Sequence, residues 1–589
     1  MLKVTEVSYG FPQKDLYEKI SFSLEAGEHG VLIGTNGTGK STLFQLILDR
    51  KDALYDGKIE LEEHSTIGYV SQFMEHSHDV EQTVFDYIME PFVQKQREID
   101  DICKQMETGE NIELLMEEYQ KVWDSYEAMD GDNASVNIRK ELKLAGIEEL
   151  AELALGQISG GEFKLVQIIR EMLLCPKLLM MDEPDAFLDF ERLIGLGELI
   201  NHHKGTLLVI THNRYLLNHC FNKVLHLENK ELEEYEGTYP EYRLLTLETK
   251  VEQQAQRAKE QEEIDRNQKI VERMRNQATR VISASRGRAL HARVSYLERL
   301  EKRQTPSPFL NVPEPKITLC SAMTVENQEE QTGEGKALLT VSPFEVGYEE
   351  TLLRGEGFDL SMGEKIAFVG ANGTGKTTLL RNIKEAFSGK KDFPVAFSKE
   401  TKVAYLSQYQ GETLNEGQTL SQCMEEHGIQ DPKEAVELLA RYTLSPELLD
   451  RTIGTLSGGE KNLFQLLLLS KSDANVLLLD EPTSHLDLYA QEVLETALSQ
   501  YRGAILMVCH DFYTIAGVAD KVLYVRDGMV NLLAARTFRK KMYEGTFEAS
   551  ELEKENRKRQ LEQRIQTCLE KSKTEEARNL LQELSENME

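Results

Sequence analysis

What this chain lacks narrows its class before any motif is considered. No apolar run approaches the ~20 residues that a membrane-spanning helix needs, so a soluble protein is expected. The opening "LKVTEVSYGF" alternates like a strand, with no basic, apolar and cleavage regions in succession, so it does not read as a secretory signal. Cysteine is scarce. Cys103, Cys175, Cys220, Cys320, Cys423, Cys509 and Cys568 are scattered, with no CxxC pair and no metal-ligand spacing, which points to reduced thiols in a cytoplasmic protein. Positive charge is short as well: 68 Lys and Arg face 100 Asp and Glu, a formal charge of −32. Against that deficit, the segment "RNQATRVISASRGRALHARVSYLERLEKR" at 275–303 is basic almost throughout.

What is present is length and repetition. A chain of 589 residues exceeds what one core holds, since single cores stop growing near ~250–300 residues, so two large domains plus additional elements are expected. "GTNGTGKSTL" at 34–43 recurs as "GANGTGKTTL" at 370–379, "ISGGE" at 158–162 as "LSGGE" at 456–460, and "LLMMDEPDAFLD" at 178–189 as "VLLLDEPTSHLD" at 476–487. "LVITH" ends at His212 and "LMVCH" at His510, each 30 residues after Asp182 or Asp480. The order is the same in both halves, so the chain is a tandem duplication.

Each copy reads as phosphate chemistry. An apolar strand ("HGVLIG", "KIAFVG") runs into G-x-x-x-x-G-K-[ST] and then into an apolar helical pattern, which is a P-loop. Gly34, Gly37 and Gly39, and in the second copy Gly370, Gly373 and Gly375, let the backbone wrap a polyphosphate so that amides and a helix N-terminus face it. Asn36, Thr38 and Thr42, with Asn372, Thr374 and Thr378, complete the two cradles. Lys40 and Lys376 would reach the β and γ phosphates, and the hydroxyls of Ser41 and Thr377 would ligate Mg²⁺. Asp182 and Asp480 end continuous apolar runs, as in buried parallel strands, and would hold the Mg²⁺ shell. Glu183 and Glu481 stand where a carboxylate can polarise water for in-line attack on the γ phosphate. An acidic pair after a strand also serves as a helix N-cap; the spacing behind a P-loop favours catalysis. His212 and His510 are either satisfied core histidines or γ-phosphate sensors, and their common register favours the second.

"SGGE" at 159–162 and 457–460 resembles the signature motif of ATP-binding cassette proteins, and with the P-loops, DE pairs and histidines the resemblance covers both halves. It implies an α/β fold: two P-loop ATP-binding cassette domains joined by a long α-helical hairpin linker. In that family cassettes pair head to tail, so Ser159, Gly160 and Gly161 would close over nucleotide on the second P-loop, and Ser457, Gly458 and Gly459 over nucleotide on the first. Amides at a helix start suit a γ phosphate. The resemblance also implies Gln72 and Gln408 near Mg²⁺, and Tyr9 and Tyr348 as aromatics stacking on adenine; a tyrosine in a strand-like segment is otherwise a core residue. The first copy departs from the family's form, with Asp185, Ala186 and Phe187 where the second has Thr483, Ser484 and His485. Both sites are expected to bind and hydrolyse ATP. The departure reads either as different rates or as neutral drift.

Two cassettes fused through a long charged linker, without a membrane span, resemble the ABC-F family of ribosome-associated ATPases. From Tyr242 to about Arg303 the sequence is helical in composition without Gly or Pro until "SASRGR", and it ends at "TPSP", which predicts a helical hairpin whose first arm of about 30 residues would project ~45 Å. Between Arg266 and Arg303, eleven Lys or Arg face three acidic residues. A basic projection on an acidic body seeks phosphate; the plainer reading is a solvated face, but the acidic i,i+4 partners are missing. The resemblance implies the ribosomal tRNA exit region as target, contacted by rRNA- and tRNA-facing Arg280, Arg286, Arg288 and Arg293. Tyr296 is the lone aromatic there, which favours phosphate contact over base stacking.

The expected boundaries are a first cassette at 1–240, the linker at 241–305, a connecting segment at 306–335, a second cassette at 336–545 and a charged C-terminal extension at 546–589. The P-loop to signature distance is 125 residues in the first copy (Gly34 to Ser159) and 87 in the second (Gly370 to Ser457), so the first cassette carries an insertion. It falls at 92–128, a helical pair turning near Thr108 and Gly109 with ten acidic residues against four basic, either a dock for a basic ribosomal protein or an ordinary solvated surface. The stretch from Glu551 is either a short coiled coil or a disordered tail. The expectation is an ATP-gated monomer with intramolecular cassette pairing, binding ribosomes as a translation factor or as a protector against antibiotics. A cassette subunit energising a separate exporter and a DNA-binding ATPase are the rivals.

Overall fold

The computed structural model describes residues 1–12, 14–48, 55–62, 65–72, 80–107, 111–280, 291–296, 314–319, 337–347, 351–408, 411, 414–543 and 549–587. The chain divides into two compact units, one of Met1–Glu236 with Pro313–Arg539 and one of Gly237–Val312 with Lys540–Glu589. No helix among the described residues is long and apolar enough to cross a membrane.

The first unit holds both copies of the repeat. In the first copy the strands are β1 (Leu2–Phe11), β2 (Lys14–Leu24), β3 (His29–Ile33), β4 (Asp56–Leu61), β5 (Ile67–Val70), β6 (Leu178–Asp182), β7 (Thr206–Ile210), β8 (Lys223–Glu228) and β9 (Glu231–Glu236). They form an antiparallel sheet β2-β1-β4 and a six-stranded sheet β5-β6-β7-β3-β8-β9, parallel except for β9. In β6 and β7 every residue is buried. Continuous apolar runs form such strands because a parallel sheet is covered on both faces. Leu178, Met180, Leu208, Ile210 and Leu225 meet Leu43, Phe44 and Ile47 of the P-loop helix Lys40–Ile47 in one core. Each side chain so buried contributes roughly 1.5–3 kcal/mol over exposure.

The second copy follows the same plan with β10 (Ala337–Val341), β11 (Phe344–Gly347), β12 (Thr351–Gly355), β13 (Phe358–Ser361), β14 (Lys365–Val369), β15 (Val395–Phe397), β16 (Val403–Leu406), β17 (Val476–Asp480), β18 (Ala504–Val508), β19 (Lys521–Arg526) and β20 (Met529–Ala534). Its main sheet runs β11-β12-β20-β19-β14-β18-β17-β16, with a small sheet β13-β10-β15. In both copies the strands leading to the P-loop, the DE pair, the histidine and the glutamine lie side by side, so their carboxyl ends converge. That edge is where open α/β sheets bind ligands.

The predicted insertion is a helical pair, Val84–Glu107 and Ile112–Ala128, and its turn near Thr108 and Gly109 lies outside the described residues. The first helix starts eight residues earlier than expected and carries Pro91 inside it. Thr83 fixes that start by accepting from the Asp86 amide at 3.1 Å.

In the second unit one helix, Tyr239–Arg280, runs for 42 residues, longer than the expected arm. Thr238 precedes it, with its amide and hydroxyl bonded to Glu241 at 2.8 and 2.9 Å, and Pro240 is tolerated in the first turn. The C-terminal extension is ordered as helices Ala549–Glu570 and Thr574–Glu586, so a disordered tail is not what forms. Leu561, Ile565, Cys568, Ala577, Leu580 and Leu584 close a core with Leu247 and Val251 of the long helix. The Gln254 amide donates to the Leu569 carbonyl at 2.6 Å.

Candidate active site

Each P-loop turns into its helix through a glycine that no other residue replaces without strain. Gly39 and Gly375 are the N-caps, at φ of 101° and 91°. A Cβ on Gly39 would stand 2.7 Å from the Tyr17 hydroxyl. Lys40 Nζ donates to the carbonyls of Gly34 and Thr35, both at 2.9 Å, and Lys376 Nζ to those of Gly370 at 2.9 Å and Ala371 at 2.6 Å. Thr38 and Thr374 brace the loops internally, each hydroxyl donating at 2.9 Å to a carbonyl three residues back. Gly37 and Gly373 both lie in the left-handed region, while Thr42 and Thr378 follow in the first helical turns.

The DE turns show the backbone signature of a built site. Glu183 and Glu481 sit at φ of 46° and 48°, a left-handed conformation that side chains with a Cβ rarely adopt and that costs of order 1–3 kcal/mol. Their amides are held by the carbonyls of Ile210 and Val508 on the neighbouring strand, both at 2.9 Å. Burial, with Asp185 and Asp182 adding repulsion, pushes the Glu183 carboxyl up to about 7; burial and Asp480 do the same to Glu481. Carboxyls poised there are suited to accept a proton near neutral pH. Gln72 donates to Glu183 Oε2 at 2.5 Å, and His510 Nε2 stands 3.4 Å from Glu481 Oε1. Burial, helped by Lys376, holds His510 down to about 3; burial and Lys40 hold His212 well below its ordinary value. Both rings are therefore neutral.

Burial raises the Asp182 carboxyl while Ser41 beside it opposes the rise, and Thr377 Oγ1 donates to Asp480 Oδ1 at 3.1 Å. Asp182 Oδ1 is buried with no hydrogen-bond partner among the described residues. A hydroxyl beside an unpaired carboxylate oxygen is the donor chemistry that a hard divalent cation takes. Gln408 stands half-buried beside the second P-loop.

The signature serines are N-caps of helices Gly160–Leu173 and Gly458–Ser470. Both use the capping box: Ser159 Oγ accepts from the Glu162 amide at 3.3 Å while Glu162 takes the Ser159 amide at 2.9 Å, and Ser457 and Glu460 repeat it at 3.3 and 2.8 Å. The glutamate of "SGGE" thus orients the helix start, a role that S-x-x-E spacing makes readable.

The two copies meet head to tail. Asn36 of the first P-loop donates its amide to Asp487 Oδ2 at 3.2 Å and its side chain to the His485 carbonyl at 2.9 Å; Asn372 of the second donates to Asp189 Oδ2 at 3.2 Å and the Phe187 carbonyl at 2.7 Å. Asp189 and Asp487, the last residues of the repeated "DEP" motifs, were not among the expected site residues, although their recurrence was the signal. Gly459 must lack a side chain, because a Cβ there would be 2.6 Å from Asn36 Nδ2 and 2.8 Å from the His485 carbonyl. One cavity of about 700 Å³ joins Ser159, Gly160 and Gly161 of the first copy to Lys376, Thr377, Glu481 and His510 of the second.

Asp185, the departure in the first copy, is half-buried, accepts from Thr211 Oγ1 at 2.6 Å and lies in the field of Lys164. Lys164 is 1% exposed and bonds the carbonyls of Ser71 and, at 3.5 Å, Gln72. The corresponding trio in the second copy is neutral: Thr483 meets Cys509 at 3.9 Å, and Asn462 donates to the carbonyls of Pro482 and Ser484 at 3.2 and 2.6 Å.

Tyr9 packs against the sheet core, its ring 5.6 Å from Phe11 and 6.4 Å from Tyr17. Phe11 ends the strand 45% exposed, and the repeat aligns Gly10-Phe11 with Gly347-Tyr348. Tyr348 lies outside the described residues, as do Arg286 and Arg288, and the side chain of Arg280 is likewise not described. The Arg293 guanidinium lies 5.6 Å from the ring centre of Tyr296.

A family model described as "ABC transporter" matches residues 17–186 and 353–484, together about half of the chain, and a second model of the same description matches 225–316. The chain is 29% identical over 528 residues to the "Uncharacterized ABC transporter ATP-binding protein YfmM" of Bacillus subtilis, covering 87% of this chain and 96% of that one. It is 26% identical to "ABC transporter F family member 5" of Arabidopsis thaliana, covering 90% and 75%. Among solved structures, the "Model of ribosome-bound archaeal Pelota and ABCE1" superposes with a TM-score of 0.52 at 18% identity, covering 92% of this chain and 80% of that one, a likeness of fold.

Proposed function

The chain belongs to the ATP-binding cassette family, in its tandem-cassette F branch, and is an ATPase; from that premise we propose that ATP clamps the two cassettes and that the clamped form binds ribosomes through the basic linker. The observation that carries this reading is the reciprocal closure, in which Asn36 meets Asp487 and Asn372 meets Asp189. Nucleotide on either P-loop is then faced by the signature helix of the other copy, whose free amides complement the γ phosphate. Glu183 and Glu481 accept the proton of the attacking water, and neutral His212 and His510 contact the γ phosphate. Ser41 with Asp182 and Thr377 with Asp480, joined by Gln72 and Gln408, would hold Mg²⁺, which would supply positive charge against the phosphates. Phe11 takes the place beside adenine in the first copy that Tyr348 has in the second.

The ribosome as target is supported by three things: kinship with F family members, a fold shared with a protein whose solved complex is described as ribosome-bound, and the cationic stretch at 266–303 in an acidic chain. A surface of that sign engages RNA phosphates of tRNA and rRNA, and the acidic remainder disfavours nonspecific nucleic-acid contact. Hydrolysis reopens the cassettes and releases the complex. E183Q with E481Q together should lower ATP turnover by about 10²–10⁴-fold and hold the protein on purified ribosomes in ATP. If the double variant sediments free of ribosomes, the target is wrong while the ATPase assignment stands.

A further inference from the structure

Next to the switch histidines, the cassette interface contains a charged contact that the reaction described above does not use. Arg214 follows His212 by two residues in the first copy, and its guanidinium crosses to the second copy. There it donates to Glu495 Oε2 at 2.9 Å, to Asp511 Oδ2 and to Thr514 Oγ1 at 3.2 Å. Its side chain is 9% exposed and that of Glu495 2%. Asp511 directly follows His510 and caps helix Phe512–Val518, accepting from the amides of Tyr513 and Thr514 at 3.1 and 3.3 Å. The carboxylate that receives Arg214 is thus the one that fixes where His510 lies, and His510 reaches Glu481.

The contact exists on one side only. By the repeat, Phe512 stands where Arg214 does and Gly197 where Glu495 does, and there Phe512 packs on Phe190 with ring centres 5.7 Å apart. An apolar contact tolerates sliding. A guanidinium shared among two carboxylates and a hydroxyl in a buried interface does not, because a displaced partner leaves a buried charge unpaired. The clasp therefore fixes the register of two loops, and each loop carries the histidine of a different site.

We propose that Arg214 is a positioning residue that couples the two ATP sites, tying the His212 loop of the first copy to the Asp511 cap beside His510 of the second so that neither site resets alone. The proposal rests on Glu183 and Glu481 being the bases, and it is independent of what the clamped form binds. The bistable element is the cassette interface, since the clasp forms only when the copies are closed.

The test is steady-state ATP hydrolysis by the full chain, without ribosomes, for E183Q and E481Q singly, each in the parent and in the R214M background. With Arg214 in place, one blocked site should hold the other, and each single variant should lose about ten-fold or more of total turnover. With R214M the sites should act independently, and the same variants should keep about half of that background's turnover. R214K, which keeps the charge, should restore part of the dependence, whereas a merely structural role would change thermal stability without restoring it. If R214M does not fold, E495Q keeps shape and reduces the ion pair to a weaker neutral hydrogen bond, and it should loosen the dependence of each site on the other. A ten-fold loss that persists in R214M and E495Q, or half-turnover already in the parent, overturns the clasp alone. If neither Gln variant slows turnover, the base assignment falls and the clasp falls with it.

Discussion

The two copies hold the same strained DE turn with opposite chemistry. Beneath Glu183 lie a lysine, an aspartate and a threonine (Lys164, Asp185, Thr211); beneath Glu481 lie an asparagine, a threonine and a cysteine (Asn462, Thr483, Cys509). Backbone geometry is nearly identical, with φ of 46° and 48° at the glutamates. Asp185 alone would be a half-buried carboxylate without compensation, yet it arrives with a hydroxyl donor and a buried cation, and Lys164 also carries the loop that delivers Gln72 to Glu183. Asp185 thus differs from Thr483 together with the residues around it, Lys164 and Thr211 standing where Asn462 and Cys509 stand in the second copy. Burial pushes Lys164 down to about 8, with Asp182, Asp185 and Glu183 opposing, so the charge it offers is itself maintained by the carboxylates around it.

This comparison can be broken by moving one member at a time. K164M should destabilise the first cassette most, by about 3–5 kcal/mol, because it strips the compensating charge from the buried carboxylates. The loss should appear as a lowered thermal transition, and the exchange K164N/D185T/T211C should recover most of it. Recovery by D185T alone would mean the trio is not a unit. The reciprocal closure is sharpened by N36A against N372A: each loses one interfacial bond of about 0.5–1.5 kcal/mol, and the two should weaken ATP-driven compaction, read by small-angle scattering, to the same extent. Unequal losses would show that the two interfaces bear unequal load. Smallest is the cap pair. S159A and S457A should each cost about 1 kcal/mol of helix stability, read by amide hydrogen exchange in the first turn, and equally, since both capping boxes share one geometry.

The residues proposed to bind and cut phosphate were legible because they sit in short contiguous motifs bolted to strand ends, and a parallel sheet then forces those ends together. Local pattern also revealed the repeat, the insertion and the helical linker. What stayed hidden acts across the fold. Arg214 and Glu495 are 281 residues apart in the chain, and nothing local marks an arginine after "THN" as a clasp. A buried lysine such as Lys164 is unreadable for the same reason, since its partners come from the loop after β5 and from the turn after β6. Tyr9 was the expected adenine platform of the first copy; it packs against the sheet core, and Phe11, two residues on and 45% exposed, did not figure in that expectation because the register of β1 slips on either side of Tyr9. The C-terminal extension hid its order in a mostly charged sequence, because its apolar positions make sense only against Leu247 and Val251.

The C-terminal helices give the long helix a fixed root. They grip it from Leu247 to Gln254, and Ile264, Asn267 and Val271 farther along the same helix are buried as well. A beam held over its first turns bends far less at its end than one hinged at its first residue. The last forty residues of the chain thereby brace the root of a helix that begins three hundred residues earlier.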